Sequence, residues 1–305
     1  MILCVCPNPA IDTFILVDDF TPAKVNRATR ELSFPGGKGI HVALGIKELG
    51  EDVAILAFWG GPTGTWVKMQ CEARGIACYG PEVNDWTRTC LTIKTKNNFN
   101  ETEILGTGPH INKVEYSFFL TQYLHLLDQV DLVAMSGSWP KNSFGADYSE
   151  LIEKAALLNI KSYIDCSGQG LVSALEKRPY GVHINHHEAY DVYRSNKPEE
   201  IFSKMNTQCK IAALTYGDKG LYLYSDGEMI HALSKVDHLI STVGCGDSLM
   251  AGLLVARKRN YNMLETAKLA AATGAANCMR EELGMFYSSD VEQLQDGCKI
   301  EVITI

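Results

Sequence analysis

The sequence predicts an α/β fold built on a doubly wound, mostly parallel sheet, with a small separate β-sheet beside it. Short apolar strands alternate with helices along most of the chain, and the strands repeatedly end in turns of Gly, Ser or Asp. This alternation is typical of a parallel sheet with helices on both faces, which binds ligands at the carboxyl ends of its strands. Two early strands and a later hairpin do not fit the alternation, and we expect them to form the separate sheet as a lid over the site.

Length and composition favour one large domain that spans residues 1–305. Hydrophobic residues make up 46% of the chain and charged residues 21%, which is ordinary for a globular protein. The formal charge of −8 argues against a nucleic acid or an anionic membrane as the main partner. No apolar run approaches the roughly 18 residues that a membrane span requires.

Ten cysteines are scattered through the chain without a CxxC motif or a zinc-like pairing. Cys4 and Cys6 alternate with Val5, so they share one face of a strand. We interpret the cysteines as small buried residues in a reducing compartment. The N-terminus lacks the basic segment of a signal peptide, so we expect the protein to be cytoplasmic.

The order of elements follows from the hydrophobic pattern. The first strand covers residues 1–6, and strand-like segments follow at Thr13–Val17 and Arg27–Phe34. A helix then runs to Leu49 and stops at Gly50. The further predicted strands are 53–58, 87–93, 101–105, 131–135, 161–165, 181–184, 211–214, 221–224 and a short C-terminal strand, with a hairpin turn at 97–100. The further predicted helices are 63–74, 113–128, 148–158, 247–257 and 263–279.

A glycine-rich turn, Gly36-Gly37-Lys38-Gly39, precedes the first helix. Its spacing excludes the Walker motif GxxxxGK[ST], and no GxGxxG fingerprint follows the first strand. What remains is a close approach of the backbone to a ligand at a helix N-terminus, with Lys38 as a positive arm. The alternative is an ordinary helix start with a solvent-facing lysine.

The second glycine turn, Gly244-Cys245-Gly246-Asp247, opens an apolar helix. The first turn of a helix binds anions, and Gly244 and Gly246 leave room for a phosphate. A carboxylate at this position should repel a bound anion, so Asp247 needs an explanation. The conflict disappears if Asp247 is a base that takes the proton of a hydroxyl attacking the bound phosphoryl group. The alternative is that Asp247 only caps the helix. A thiol at a helix N-terminus has a lowered pKa and is more easily oxidised or alkylated, so we expect a thiol reagent to modify Cys245, unless its side chain is only a filler.

The two glycine turns, in this order and at this separation, resemble those of the PfkB carbohydrate kinases of the ribokinase superfamily. The resemblance runs along nearly the whole chain, and further segments are similar to the branch that holds 1-phosphofructokinase and tagatose-6-phosphate kinase. These segments are Asn8–Asp12, Val25–Ala28, Thr87-Arg88, Thr102-Glu103, Gly108-Pro109 and Ser136–Ser138. The resemblance implies a ribokinase-like core with a lid formed by segments of approximately 11–34 and 86–106.

The resemblance also implies the reaction, which is transfer of the γ-phosphoryl group of ATP, with Mg²⁺, to a hydroxyl of a phosphorylated ketohexose of the fructose-1-phosphate or tagatose-6-phosphate type. Asp247 would be the base, and the N–H groups of Gly244, Cys245 and Gly246 would form an anion hole. Asp12 would hold sugar hydroxyls, and Lys38, Arg88 and Lys24 would bind the phosphate that the sugar carries. The residues assigned to the sugar are Asp12, Lys24, Gly37, Lys38, His41, Arg88 and Ser136.

The nucleotide side follows from the same resemblance. The residues assigned to it are Asn185, Thr215, Gly217, Gly220 and Asn277. Asn185 and Glu188 would lie near Mg²⁺, with Glu188 acting through water. His183 and His186 have a spacing that also suits zinc, although no cysteine completes a ligand set.

The sequence departs from the family pattern where sugars are recognised. The family commonly has Asn at the positions of His41 and Leu105 and near Cys90, and Lys-Pro where His183 and Ile184 stand. Lost amides would change which sugar fits, because an unpaired polar group costs about 1–3 kcal/mol.

Two other functions remain open from the sequence. One is a kinase of a free sugar or nucleoside, which would leave Lys38 and Arg88 unpaired in a closing site. The other is a non-catalytic ligand-sensing member of the fold, against which the intact Gly244–Asp247 turn argues. Lids of this family often pair edge strands between subunits, which suggests a homodimer through the lid.

Overall fold

The computed structural model describes residues 1–96 and 98–304, and Asn97 in the predicted hairpin turn lies outside them. The strands are β1 Ile2–Cys6, β2 Ala10–Val17, β3 Ala28–Gly36, β4 Val53–Ala57, β5 Trp59–Gly60, β6 Ala77–Tyr79, β7 Glu82–Val83, β8 Arg88–Thr95, β9 Asn98–Leu105, β10 His110–Ile111, β11 Leu132–Ser136, β12 Lys141–Asn142, β13 Lys161–Asp165, β14 Gly181–Asn185, β15 Ile211–Thr215, β16 Leu221–Ser225, β17 Glu228–Leu233 and β18 Lys299–Thr304. The helices are α1 Lys38–Glu48, α2 Gly61–Glu72, α3 Lys113–Leu127, α4 Tyr148–Leu157, α5 Gly168–Glu176, α6 His186–Tyr193, α7 Pro198–Met205, α8 Cys245–Lys258, α9 Met263–Asn277 and α10 Ser288–Asp296.

The central sheet has the strand order β18-β17-β16-β15-β14-β13-β11-β1-β4-β6. Neighbours from β15 to β6 run parallel, and β16, β17 and β18 form an antiparallel edge. Because β1 lies between β4 and β11, the chain winds outward from it in both directions. The carboxyl ends of β1, β11, β13 and β14 therefore meet along one edge, which is where such sheets bind ligands.

Helices cover both faces of the central sheet, as the alternation in the sequence predicts. Ile2 and Cys4 of β1 pack into a core cluster with α1, α8 and α9, whereas Leu3 and Val5 pack into the opposite cluster with α3 and α4. Successive side chains of a strand point to opposite faces, so a strand that is buried on both sides is apolar throughout. The doubly wound, mostly parallel α/β fold is thus confirmed.

A separate four-stranded sheet has the order β3-β2-β8-β9. β2 pairs antiparallel with β3 and parallel with β8, and β9 returns antiparallel to β8 as a hairpin. These are the segments that did not fit the alternation. The sheet touches the core where Lys94 Nζ donates to the carbonyl oxygen of Ile240, and where Glu101 Oε2 accepts from the N–H of Thr242 at 3.3 Å.

Within the described residues, we find no helix with the length and apolar character that a membrane crossing demands.

Candidate active site

The second glycine turn is shaped by close packing of two backbones. Gly244 has φ +83°, and a Cβ on it would lie 2.4 Å from Gly284 Cα, so a side chain is excluded on both counts. α8 begins directly after it, at Cys245. The N–H groups of this first turn have no intrahelical acceptor, so the turn offers an anion hole.

The side chain of Asn277 holds the second glycine turn in place. Its Nδ2 donates to the carbonyl oxygen of Val243 at 2.9 Å, and its Oδ1 accepts from Ser248 Oγ at 3.1 Å. The side chain is 1% exposed. The amide of Asn277 therefore ties α9 to the glycine turn, and the position of the helix around Asn277 at the border of the nucleotide base stays a prediction.

Asp247 lies in the first turn of α8 and contacts His41 of α1. His41 Nδ1 is 2.9 Å from Asp247 Oδ2, and His41 Nε2 is 3.0 Å from Asp12 Oδ2. The contact with Asp12 is an ion pair rather than an aligned hydrogen bond, since Nε2 has no partner within hydrogen-bond geometry among the described residues. One imidazole therefore links the predicted base to the predicted sugar-binding carboxylate.

Protonation in this trio depends on burial and on the neighbouring charges. Burial favours the neutral ring of His41, but the close contacts with Asp12 and Asp247 and the negative charges of both outweigh it and raise the pKa of His41 to about 10. Burial also raises the pKa of Asp247, and His41 opposes that shift. The surroundings of His41 therefore favour the protonated ring, which lies between two carboxylates.

Lys38, the first residue of α1, lies between two other carboxylates. Its Nζ donates to Asp165 Oδ1 at 2.6 Å and is 4.0 Å from Glu188 Oε1. Asp165 ends β13, is fully buried, and has its second oxygen 2.9 Å from His183 Nδ1. Burial opposes the charge on Asp165, but Lys38 and His183 outweigh it and lower the pKa of this carboxyl. The sequence predicts Lys38 at the sugar phosphate, whereas the structure pairs it with Asp165 beside Glu188.

Asn185 and Glu188 form a capping box at the start of α6. Asn185 Oδ1 accepts from the N–H groups of His187 and Glu188 at 2.9 and 3.0 Å, and Glu188 Oε2 accepts from the N–H of Asn185 at 2.9 Å. Two backbone donors occupy Asn185 Oδ1, so it does not fit a direct magnesium ligand. Glu188 Oε1 fits, because Mg²⁺ binds through one or two carboxylates and keeps several waters.

Several buried polar side-chain atoms near the predicted sugar-binding residues lack a protein partner. Among the described residues they include Asn8 Oδ1, Arg88 Nε and Ser136 Oγ. Arg88 Nη1 and Nη2 donate to the carbonyl oxygens of Gly106 and Asn8 at 3.3 and 3.2 Å. Arg88 pairs in register with Ala10, next to the strand position of Asp12. Buried polar atoms are nearly always hydrogen-bonded, so this cluster marks a place for a polar ligand.

The remaining predicted residues lie around this centre. The N–H of Gly37 donates a hydrogen bond to Asp12 Oδ2 at 3.4 Å. Thr215 ends β15 with Oγ1 3.4 Å from His183 Nε2, and Gly217 and Gly220 flank a short 3₁₀ turn. Lys24 is exposed in the connection between β2 and β3, and in the described part of the chain it forms no hydrogen bond or ion pair with another predicted site residue.

The two histidines whose spacing suits zinc contact different residues. His183 bonds to Asp165, while the ring of His186 stacks on Tyr216 with centroids 5.3 Å apart. The described residues contain no group of three or more His, Cys, Asp or Glu that could hold a metal ion. The spacing of the two histidines therefore reflects a strand end and a helix start.

The expectation of a lowered pKa at Cys245 is wrong. Its Sγ lies 3.0 Å from Cys278 Sγ, and that thiol together with burial raises the pKa of Cys245. The pKa of Cys278 is lowered by the same contact. A helix N-terminus favours a thiolate only where the thiol is not already engaged by a second one.

The sequence motifs do not mark Asp165 as a site residue, and they include Glu103 only as part of the resemblance to the family. Asp165 closes a correctly predicted buried strand at the ligand-binding edge, so its position already marked it as a candidate. Glu103 lies on β9, and burial together with the charges of Asp12, Glu101 and Asp247 raises its pKa. The charges that raise this pKa come from segments far apart in the sequence. The segment Thr102-Glu103 alone therefore does not reveal that they lie close to Glu103 in the fold.

Comparison with known proteins shows the family of the chain. Residues 3–286 match the family described as pfkB family carbohydrate kinase. A 1-phosphofructokinase of Bacillus subtilis is 30% identical over 306 residues, covering 98% of this chain and 99% of that protein. A tagatose-6-phosphate kinase of Staphylococcus epidermidis is 27% identical over 314 residues, covering 100% of both. The tetrameric inhibited form of phosphofructokinase-2 from Escherichia coli superposes with a TM-score of 0.87 at 22% identity, covering 97% of this chain and 98% of that one.

The family match and the full-length relatives define a phosphotransferase that acts on a sugar hydroxyl. The chain belongs to the pfkB family of carbohydrate kinases. Membership of a family of carbohydrate kinases implies ATP as the phosphoryl donor and a sugar hydroxyl as the acceptor.

Proposed function

We propose that the protein transfers the γ-phosphoryl group of ATP to a hydroxyl of a phosphorylated ketohexose, of the fructose-1-phosphate or tagatose-6-phosphate type. The observation that carries the proposal is the buried carboxylate of Asp247 in the first turn of α8, directly after the glycine turn whose N–H groups have no intrahelical acceptor. The substrate class is supported by the names of the two relatives, a 1-phosphofructokinase and a tagatose-6-phosphate kinase.

The chemistry follows from the free oxygens of the two carboxylates. Asp247 Oδ2 is engaged by His41, so Oδ1 takes the proton of the attacking hydroxyl. Asp12 Oδ1 accepts a hydrogen bond from a second hydroxyl and orients the sugar. The N–H groups of residues 244–246 stabilise the charge on the migrating phosphoryl group. The products are ADP and a sugar bisphosphate.

Arg88 is the group that we assign to the phosphate already on the sugar. Its Nε is buried without a partner among the described residues, and Asn8 Oδ1 and Ser136 Oγ are unpaired nearby in the fold. An always-charged, forked guanidinium suits the oxygen pair of a phosphate. We propose that Lys24 adds a second cation when the separate sheet closes, and that Gly37 lets the backbone approach the sugar.

Lys38 and the residues around Glu188 serve the nucleotide side in this proposal. Mg²⁺ would be held through Glu188 Oε1 and water, and it would neutralise charge on the β- and γ-phosphates. Lys38 would add a positive charge beside the same phosphates. The side-chain amide nitrogen of Asn185 would donate to a phosphate oxygen. The 3₁₀ turn that begins at Gly217 and is followed by Gly220 would border the nucleotide.

We propose that the separate sheet acts as the lid and also as a dimer contact. Its edge strand β9 exposes Ile104 and Leu105 by 52% and 62%, and unpaired edge strands invite pairing with a second chain. The related E. coli structure is described as tetrameric. Sedimentation analysis of the wild type and of Ile104→Lys tests the contact, since only the wild type should then be a dimer.

We further propose that the protein acts in the cytoplasm. None of its ten cysteines, all of which lie in the described part of the chain, is in a disulfide, and six of them are buried. Reduced, buried cysteines are typical of proteins from a reducing compartment.

Release of ADP with a panel of acceptors tests the function directly. Fructose-1-phosphate and tagatose-6-phosphate should stimulate release well above the rate with free fructose, ribose or a nucleoside. A preference for a free sugar or nucleoside would favour the first alternative function, although the relatives named here do not support it. Binding of ATP without stimulated ADP release by any acceptor would favour the ligand-sensing alternative.

A further inference from the structure

His41 does more in this geometry than border a sugar, because a carboxylate lies against each of its ring nitrogens. Nδ1 is 2.9 Å from Asp247, and Nε2 is 3.0 Å from Asp12. A neutral imidazole has one N–H, so its other nitrogen would turn a lone pair towards a carboxylate oxygen. Only the imidazolium satisfies both contacts.

The charges around the ring favour the same state. The groups that face it are Asp12 from β2, Asp247 from α8 and Glu103 from β9. The nearby cation on its own helix, Lys38, is already paired with Asp165. With a 4% exposed ring, water contributes little screening.

The two contacts of His41 determine which oxygen of each carboxylate remains free. Asp12 and Asp247 both present Oδ2 to the ring, and in the described structure no hydrogen bond to either Oδ1 occurs. β2 belongs to the separate sheet and α8 to the core. The ring is therefore a bridge between the two parts of the protein that enclose the acceptor.

We propose that His41 is a charged positioning residue, whose imidazolium ties Asp12 of the separate sheet to Asp247 of the core and keeps Asp247 ionised as the base. This inference rests on the proposed kinase function for its catalytic meaning. The bridge holds the carboxylate that orients the acceptor and the carboxylate that deprotonates it at one separation. It also places a positive charge where the usual family residue, Asn, would supply a neutral amide.

The pH dependence of the His41→Asn variant has a definite sign. A nearby positive charge lowers the pKa of a carboxyl group by about 1–3 units. Without the imidazolium, Asp247 takes up a proton at higher pH, and the base is lost sooner as the pH falls. The acid limb of kcat/KM should therefore move to higher pH by about one unit.

Kinetics of the full chain from about pH 5 to about pH 10 test this, with the preferred sugar phosphate as the acceptor. His41→Asn should lower kcat about tenfold or more, because a small misplacement of reacting groups is costly, while the KM for ATP stays unchanged. The control is His125→Asn, an exposed histidine at the end of α3, which should leave the profile as in the wild type. An active His41→Asn variant with an unshifted acid limb would overturn the proposal.

A second measurement is independent of turnover, and its main readout is taken on the wild type. Two-bond ¹⁵N–¹H correlation spectra of the histidine-labelled wild type report whether both ring nitrogens carry protons, and the signal absent from His41→Asn identifies the residue. Both nitrogens should be protonated at neutral pH, and Asp12→Asn should lower the pH at which the ring loses a proton. A neutral ring at neutral pH overturns the His41 proposal, whereas absence of phosphorylation of any acceptor overturns the kinase proposal alone.

Discussion

The ammonium of Lys38 donates to a carboxylate oxygen of Asp165 at 2.6 Å, although the two residues are 127 positions apart. The second oxygen of Asp165 lies 2.9 Å from His183 Nδ1, so each oxygen of this fully buried carboxylate contacts a side-chain nitrogen. This arrangement joins α1, β13 and β14 at the ligand-binding edge of the central sheet. It makes the stability of the fold depend on a charge inside the site.

Replacing Asp165 with Asn should destabilise the protein by about 3 kcal/mol at neutral pH, because it leaves partners of a buried charge uncompensated. Lys38 is 38% exposed, which places the loss at the low end for buried pairs. Since the folded state lowers the pKa of Asp165, its stabilisation is complete above the unfolded pKa near ~3.9 and is lost as the pH falls through the lower folded value. Chemical unfolding should give a constant difference from wild type at higher pH that shrinks below about pH 4. A difference independent of pH would contradict this account.

Asp247→Asn should remove the base and leave the binding surfaces in place. We expect kcat to fall by about a thousandfold, within the range that general-base catalysis supplies, and the affinity for ATP measured by calorimetry to stay nearly the same. Asp226→Asn is the matched control, because Asp226 is exposed in the turn after β16. Turnover of Asp247→Asn close to that of the control would rule out the base assignment.

Arg88→Ala should raise the KM for a phosphorylated acceptor about tenfold to a hundredfold, which corresponds to the loss of a charged hydrogen-bonding partner. The KM for a free sugar, measured at high concentration, should change far less. Arg30→Ala on β3 serves as the control, because Arg30 is half-exposed and pairs with Glu281 at 2.5 Å. Equal increases for the phosphorylated and the free sugar would show that Arg88 does not bind the phosphate.

The thiols of Cys245 and Cys278 should be joined by diamide, an oxidant that takes up the two hydrogens released when the S–S bond forms. Their sulfur atoms are 3.0 Å apart, so little movement is required. Iodoacetamide should react with Cys245 slowly, because its pKa is raised. Peptide mass mapping checks both expectations, and Cys278→Ser should abolish the cross-link. Rapid alkylation of Cys245 in the wild type would contradict the raised pKa.

Elements with strong local patterns could be predicted from the sequence. β13 was predicted as 161–165 and lies at Lys161–Asp165, and the first helix ends one residue before the expected Leu49. The sequence does not predict the short helices α5, α6, α7 and α10, because each has only eight or nine residues and a brief apolar face. In such short segments tertiary packing supplies most of the helical stability.

The candidate site shows the same division between local and long-range information. Both glycine turns could be located from residue types and spacing alone. The link from Asp247 through His41 to Asp12 could not, since it joins residues 206 and 29 positions apart through side-chain orientation. The partner of Lys38 was missed for the same reason, as its charge indicated an anion but not which one.

Gly284 limits which side chains position 41 can hold. It has φ +69°, and a Cβ there would lie 2.2 Å from Cγ of His41 and would collide with the ring. A relative with any side chain at that position has no room for this imidazole. The same Cβ would lie 2.7 Å from Cβ of His41, so the exclusion applies to most side chains at position 41, and an experimental library that randomises both positions should recover side chains at position 41 only where position 284 is bare.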